Sequence, residues 1–332
     1  MKAQLIEQFG DSSVFQTVEV PAPKVIPGHI LIRVAASSVN PIDIKVRQGV
    51  VKGVAPELPA ILHGDVAGVV EKVGEGVTNF KPGDEVYACA GGFKGTGGAL
   101  ADYMLADAAL VALKPRSLTM REAAALPLVS ITAWEALVDR ANLRPGQNVL
   151  IHGSTGGVGH IAIQLAKWAG ATVYATGSSK QKLDMGKELG ADFGINYKEE
   201  TVQDYIKKYT MGNGFDVVFD TIGGENLDRS FEAATINGTV VSIATRSTHD
   251  LSPLHAKGLS LHVVFMLLPI VTKVNRQHHG EILQQITKLV DEGKLKPLID
   301  PKMFSFDEVS AAHQYLESGK AIGKVTLVNE RF

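Results

Sequence analysis

The stretch Val149–Gly159, VLIHGSTGGVG, constrains this chain more than any other. Val149, Leu150 and Ile151 suit a strand buried on both faces, and the residues after Gly159, IAIQLAKWAG, place apolar side chains at helical spacing. A buried strand that runs through a glycine turn into a helix is the local context of a loop holding dinucleotide phosphates. The opening N–H groups of a helix have no internal partners and present a positive pole. Ser154, Thr155, Gly156, Gly157, Val158 and Gly159 are therefore expected to contact a pyrophosphate. Gly156, lacking a Cβ, lets backbone approach it, and Gly159 lets the helix lie close to the strand. The match departs from GxGxxG at its first glycine, which here is Ser154.

At 332 residues the chain is too long for one hydrophobic core, so two domains are expected. Lys+Arg 33 against Asp+Glu 35, a formal net charge of −2, speaks against a nucleic-acid or membrane-surface partner. The one cysteine, Cys89, allows neither an intramolecular disulfide nor a cysteine-based zinc cluster. MKAQLIEQFG has no apolar signal core, and Leu261–Val271, the most apolar run, is too short to span a bilayer and contains His262 and Pro269. A cytoplasmic address is expected.

Residues 1–122 read as short strands broken by Gly and Pro, with strands over Ala3–Ile6, Gln16–Val20, Ile30–Ala36, Val66–Val73 and Glu85–Ala88. Helical spacing begins at Leu118–Ala125, where Glu122 supports a start after Ser117 or Thr119, and continues over Ile131–Arg140. Residues 123–270 then alternate strand and helix from Val149 to Phe265, the pattern of a parallel sheet covered by helices. In residues 271–332 an amphipathic helix over His279–Asp291 precedes a helix from Asp307 to Glu317 and a strand Lys324–Val328. This tail is expected to rejoin the β-rich first domain.

Ser38–Asp43, Asp65–Val70, Val73-Gly74, Phe80–Tyr87, Ala123–Pro127, Thr132–Trp134, His152–Gly159, Asp216–Asp220 and Gly319–Leu327 together carry a resemblance. In these motifs, taken in this order, the chain resembles the medium-chain dehydrogenase/reductase superfamily, and within it the zinc-free quinone oxidoreductase group. The resemblance implies a GroES-like domain, built from both ends of the chain, around a Rossmann domain with its doubly wound parallel sheet, and the active site in the cleft between them. In the superfamily's alcohol dehydrogenases two cysteines and a histidine hold catalytic zinc. The matching positions here are Asn40, Gly64 and about Leu128, so no metal is expected. His63 and Asp65 flank the histidine position without a thiolate partner; the expectation is that Asp65 receives backbone or Arg/Lys hydrogen bonds and that His63 lines the cleft.

The second strand of the alternating half, Thr172–Thr176, ends at Gly177, followed by Ser178-Ser179-Lys180-Gln181-Lys182. An acid at this place would hold a ribose 2′-hydroxyl, and none is present to repel a 2′-phosphate. Resemblance to NADPH-using relatives implies that Ser178, Ser179, Lys182 and Tyr197 cradle that phosphate, and NADPH is the cofactor expected. Asp220 and Ala244, at the ends of two further strands, complete the expected cofactor-binding set, together with Asn40 and Thr132.

A hydride needs an electrophilic acceptor, and without a metal its oxygen must be polarised by hydrogen-bond donors. Asn40 is the leading candidate, Thr132 matches a position near the nicotinamide, and His63 is the third catalytic expectation. Many relatives carry a tyrosine just after the segment equivalent to Arg47-Gln48-Gly49, where this chain has Val50-Val51-Lys52-Gly53. Lys45, His63 and solvent remain as proton sources. A quinone tolerates that loss best, because quinol oxygens take protons from water. The expected activity is hydride transfer to a quinone; the alternatives are an enone or alkenal double-bond reductase, or an NADPH-binding sensor without turnover. Phe93, His262, Phe265 and Met266 are expected to form either an apolar substrate wall or core, and Leu259–Leu268 either core or a homodimer edge. Gly91–Gly98 is expected to be a mobile loop.

Overall fold

A computed structural model describes residues 1–332. Two compact units emerge, Met1–Ile131 with Leu267–Phe332, and Thr132–Met266. The sequence pattern had suggested divisions at 122/123 and 270/271.

The first unit opens with β1 (Lys2–Ile6), β2 (Phe15–Glu19), β3 (His29–Val39), the helix α1 (Pro41–Arg47), β4 (Ala60–Ile61), β5 (Asp65–Val73), β6 (Glu85–Cys89), β7 (Tyr103–Asp107) and β8 (Val111–Leu113). Two short helices follow, α2 (Met120–Ala124) and α3 (Pro127–Trp134), and the chain enters the second unit within α3. Asn40 caps α1, with Pro41 at the first helical position and the Asp43 carboxylate accepting the Asn40 backbone N–H at 2.8 Å. Thr119, the later of the two starts expected, caps α2, and Glu122 closes the box.

The chain returns to this unit with α9 (Leu268–Thr272), α10 (Arg276–Asp291), β15 (Ile299–Ser305), α11 (Val309–Glu317) and β16 (Lys324–Val328), the intervening numbers belonging to the second unit below. β16 lies antiparallel to β3, pairing Val325 with Val39, and so inserts the C-terminal strand into the sheet β15-β16-β3-β5-β6-β8. β7 pairs with β3 off this path, and β2-β1-β4 form a second sheet. Gly91, Gly92 and Gly98 are packing glycines rather than hinges. A Cβ on Gly98 would stand 1.9 Å from the Leu62 carbonyl oxygen, and one on Gly92 2.6 Å from the His63 nitrogen. Phe93 is fully buried in this unit and is core, not a substrate wall.

The second unit contains β9 (Asn148–Ile151), α4 (Gly157–Trp168), β10 (Thr172–Gly177), α5 (Lys180–Glu188), β11 (Phe193–Asn196), α6 (Val202–Thr210), β12 (Phe215–Asp220), α7 (Glu225–Ala233), β13 (Ala234–Ser242), α8 (Ser252–Lys257) and β14 (Ser260–Val263). All six strands are parallel, in the order β11-β10-β9-β12-β13-β14. Numbered from β9 this is 3-2-1-4-5-6, the Rossmann order, and its switch point lies at the carboxyl ends of β9 and β12. Phe215, Val218, Leu227 and Phe231 pack with Ile206 of α6 in one core face, each such burial contributing about 1.5–3 kcal/mol. The helix expected over Ile131–Arg140 is present, as the end of α3 continued by a wider π-helical stretch, Glu135–Arg140. Its i−5 bond runs from Ala141 N–H to Ala136 O, and Trp134 stacks on Trp168 with centroids 5.6 Å apart.

Candidate active site

In the glycine loop between β9 and α4, Gly153 takes φ +75°, a conformation that favours glycine, and its N–H donates to Thr176 Oγ1 at 3.2 Å. The Ser154 N–H donates to the Thr176 carbonyl, and Gly156 N–H to the Gly153 carbonyl, both at 3.0 Å. A Cβ at Gly159 would lie 2.0 Å from the Gly153 oxygen, so helix and loop touch backbone to backbone. A Cβ at Gly156 would meet only that oxygen, at 3.3 Å, which leaves exposed space above the start of α4. There the first-turn N–H groups of Gly157, Val158 and Gly159 precede the first i−4 bond, made by His160 to Gly156. Ser154 fits at the first glycine position because its Cβ faces Gly186 of α5, and its hydroxyl donates to the Lys182 carbonyl at 3.4 Å.

β10 ends at Gly177, where a Cβ would lie 2.8 Å from Leu183. Ser179 caps α5 by accepting from Lys182 N–H, and Lys180 pairs with Asp184 at 2.6 Å. Gly177 pairs with Asn196 of β11, and the Tyr197 N–H donates to the Gly177 carbonyl, bringing Ser178, Ser179, Lys182 and Tyr197 to one end of the sheet. Beside them lies a cavity of about 390 Å³, lined among others by Thr176, Tyr197, Thr201, Asn226 and His152. Burial lowers the His152 pKa from 6.5 to about 4, and its Nε2 has no protein partner. Asp220 is wholly buried. It accepts from Ile222 and Gly223 N–H, Asn226 Nδ2 and Ser242 Oγ, and so shapes the β12–α7 loop; Ala244 lies just beyond β13, where a Cβ on Gly223 would meet its oxygen at 2.2 Å.

In the first unit a buried polar cluster surrounds Asn40. Asp65, with no exposed surface, accepts from Ser38 Oγ at 2.7 Å, Asn40 Nδ2 at 2.8 Å and the Leu128 N–H of α3 at 2.8 Å. Lys324 Nζ completes the cluster, donating to Asn40 Oδ1, to the Val39 carbonyl at 3.2 Å and to Asp65 Oδ2 at 3.4 Å. Asp65 thus receives backbone and lysine hydrogen bonds, as the sequence suggested. Lys324 was missed there, although a lysine opening the apolar strand KVTLV was a signal.

His63 is fully buried at φ +72°, with Nε2 2.8 Å from His313 Nε2 and Nδ1 3.3 Å from Ser37 Oγ. Arg47 stands 3.2 Å from His313 Nδ1 and pairs with Glu317 at 2.7 Å. An arginine only donates, so the geometry assigns a chain Arg47→His313→His63→Ser37→Asp65 carbonyl. Burial pushes His63 down to about 3, so it is neutral at pH 7. Lys45 is exposed on α1, and Thr132 is buried on α3 at the start of the second unit.

Residues 26–116 match the alcohol dehydrogenase GroES-like domain family, and residues 157–278 the zinc-binding dehydrogenase family. A 2-methylene-furan-3-one reductase from Solanum lycopersicum is 39% identical over 98% of this chain and 79% of its own. The crystal structure of an alcohol dehydrogenase superfamily protein from Novosphingobium aromaticivorans is 41% identical, with TM-score 0.95 over 99% of this chain and 100% of that one. Escherichia coli quinone oxidoreductase complexed with NADPH is 28% identical, with TM-score 0.88 over 99% and 100%. The chain belongs to the medium-chain dehydrogenase/reductase superfamily, in its quinone oxidoreductase group. It is an NAD(P)H-dependent oxidoreductase.

The residues at the expected zinc positions do not fit that metal. The Asn40 oxygen faces an ammonium, the Leu128 side chain has no donor atom for a metal, and a Cβ at Gly64 would meet Phe93 at 2.8 Å and Cys89 Sγ at 2.9 Å. Burial and the nearby Asp65 raise the Cys89 thiol, keeping it protonated. No helix is long and apolar enough to cross a membrane.

Proposed function

We propose that this chain reduces a quinone with NADPH and without zinc. The observation that carries the reading is that the buried polar groups around Asn40 are committed to one another. They supply neither a zinc donor set nor, in neutral His63, an acid for protonating carbon. A quinone needs neither, because its product oxygens take protons from water. For the cofactor, Ser178, Ser179, Lys182 and Tyr197 would hold the 2′-phosphate at the ends of β10 and β11, the end of β10 carrying no carboxylate in Gly177–Lys182. Gly157, Val158 and Gly159 would direct N–H groups at the pyrophosphate. The cavity at Tyr197 and His152 would take the adenosine end. When bound, NADPH supplies a hydride to an electrophilic carbon. Asn40 and Thr132 would orient the acceptor and the nicotinamide end, Asn40 through an amide N–H.

Similarity to the 2-methylene-furan-3-one reductase favours a second reading, enone reduction. NADPH oxidation by chelator-treated protein, measured in parallel with an ortho-quinone and a simple enone, separates the two. Undiminished activity with faster quinone turnover is expected; faster enone turnover replaces the quinone reading, and loss on chelation removes the zinc-free one. Lys182→Ala should raise the KM for NADPH about tenfold, as befits losing one hydrogen bond to a charged group, and leave NADH unaffected. The free edge of β14 is the surface on which a second copy would pair.

A further inference from the structure

The Asn40 side chain lies between two buried opposite charges. Its Nδ2 donates to Asp65 and its Oδ1 accepts from Lys324, which is 2% exposed and comes from β16 at the far end of the sequence. An ammonium has three N–H donors, and those of Lys324 meet three acceptors, the Val39 carbonyl, Asn40 Oδ1 and Asp65 Oδ2. Flipping the Asn40 amide would set its NH₂ against the ammonium and its oxygen against the carboxylate. Both contacts would be repulsive, in a cluster whose three side chains are all buried from solvent.

We propose that Lys324 is a positioning residue, the buried cation that fixes the Asn40 amide so that its N–H face, and not its oxygen, serves the reaction. The inference rests on the reading above, in which Asn40 donates a hydrogen bond to the acceptor or the nicotinamide end. Asp65 favours the same orientation but shares its oxygens with Ser38 and the N-terminus of α3, whereas Lys324 holds the Asn40 oxygen itself. A side chain at 324 without a donor would leave the Asn40 oxygen without its partner and the amide held from one side only. The role needs no proton transfer and no bound metal.

The test compares Lys324→Met, Lys324→Gln, Asn40→Ala and the Asn40→Ala/Lys324→Met double variant in the full chain. NADPH binding followed by its fluorescence checks the second unit. Selective ¹⁵N-asparagine labelling follows the Asn40 side-chain amide, assigned by its disappearance in Asn40→Ala. Removing a preorganised donor costs about 10²–10³ in kcat, so Asn40→Ala should approach that range and Lys324→Met should lose about tenfold or more. The double variant should be no worse than Asn40→Ala, since both changes act through one group. The paired Asn40 amide protons should lose their chemical-shift dispersion in Lys324→Met. Lys324→Gln, which keeps a donor for the Asn40 oxygen, should recover part of both signals and serves if the Met variant does not fold. NADPH binding should be retained in every variant, since the loop proposed to hold its phosphates lies in the second unit.

Unchanged kcat and unchanged amide signals in folded Lys324→Met would overturn the proposal, as would losses that multiply in the double variant or a Gln variant no better than Met. An Asn40→Ala protein with full kcat would instead overturn the role given to Asn40. The two failures are therefore distinguishable.

Discussion

Gly156 and Gly159 stand three residues apart in one motif, yet different neighbours require their lack of a side chain. At Gly159 a Cβ would overlap the Gly153 carbonyl, 2.0 Å away, so the fold itself excludes it. At Gly156 the nearest atom is 3.3 Å away and φ is −77°, so the protein tolerates a side chain and only a bound phosphate would object. Gly159→Ala should therefore lose about 1–3 kcal/mol of stability in urea unfolding, in the range of overpacked sites. Gly156→Ala should unfold like the parent and bind NADPH at least tenfold more weakly. Equal stability losses in both variants would refute this division. The motif was legible in sequence, including Ser154 as its departure. What allows that serine was not, because Gly186 lies thirty-two residues on, in another helix.

Among the elements, Asp65 is the junction of the first unit. One carboxylate ties β5 to Ser38 of β3, to the Asn40 cap of α1, to the N-terminus of α3 and to β16 through Lys324. Removing it strands a buried ammonium, so Asp65→Ala should cost about 3–5 kcal/mol in urea unfolding, while Asp65→Asn, which keeps hydrogen-bond acceptance, should cost less. Equal, small effects in both would show the junction to be unimportant. The six parallel strands were legible because each is a short apolar run flanked by amphipathic helices. α1 was not, since its seven residues span barely two turns and bury the charged Asp43 and Arg47. β7 and β8 escaped notice because their apolar residues are mixed with alanine and aspartate, and pairing with β3 and β6 is what makes them strands. The cluster around Asn40 draws on residues from 38 to 324, a closeness that only the sheet β16-β3-β5 creates. At 91–98 a sequence does not distinguish a glycine that packs, as Gly91, Gly92 and Gly98 do, from one with open space around it, as Gly95 and Gly97 have.

At the scale of the whole molecule, buried titratable groups set a pH response. Burial lowers His63 from 6.5 to about 3 and His152 to about 4, and holds His313 well below its ordinary value. Between about pH 4 and 6.5 the unfolded chain binds protons on these three that the native state refuses, so stability falls as pH falls. Asp43, raised to about 7 by burial and by the neighbouring Asp65, acts in the opposite direction, since the native state holds its proton where the unfolded chain does not. Three groups against one leave a net loss on acidification, at about 1.4 kcal/mol per pH unit for each net proton. Urea midpoints at pH 7 and pH 5 should show it, and His313→Leu should flatten the slope. A midpoint that rises toward pH 5 would reverse the sign.

The sheet of the second unit ends on one side at β14. β14 is the last strand beyond β13, and the Val264 N–H donates inward to the Ser242 carbonyl. Because backbone groups alternate along a strand, the N–H and carbonyl of Val263 point away from the sheet, with a side chain that is 49% exposed. Such an edge is a template for another strand, and nothing in Ser260–Val263 blunts it with a proline, a bulge or a charge. Val263→Pro removes the outward N–H and leaves the inner ladder intact, so it tests pairing at this edge without breaking the fold. If two copies join here, light scattering should find a parent of twice the chain mass and a Val263→Pro variant of single mass with unchanged NADPH binding. A parent that is already a monomer, or a proline variant that stays dimeric, would place any interface elsewhere.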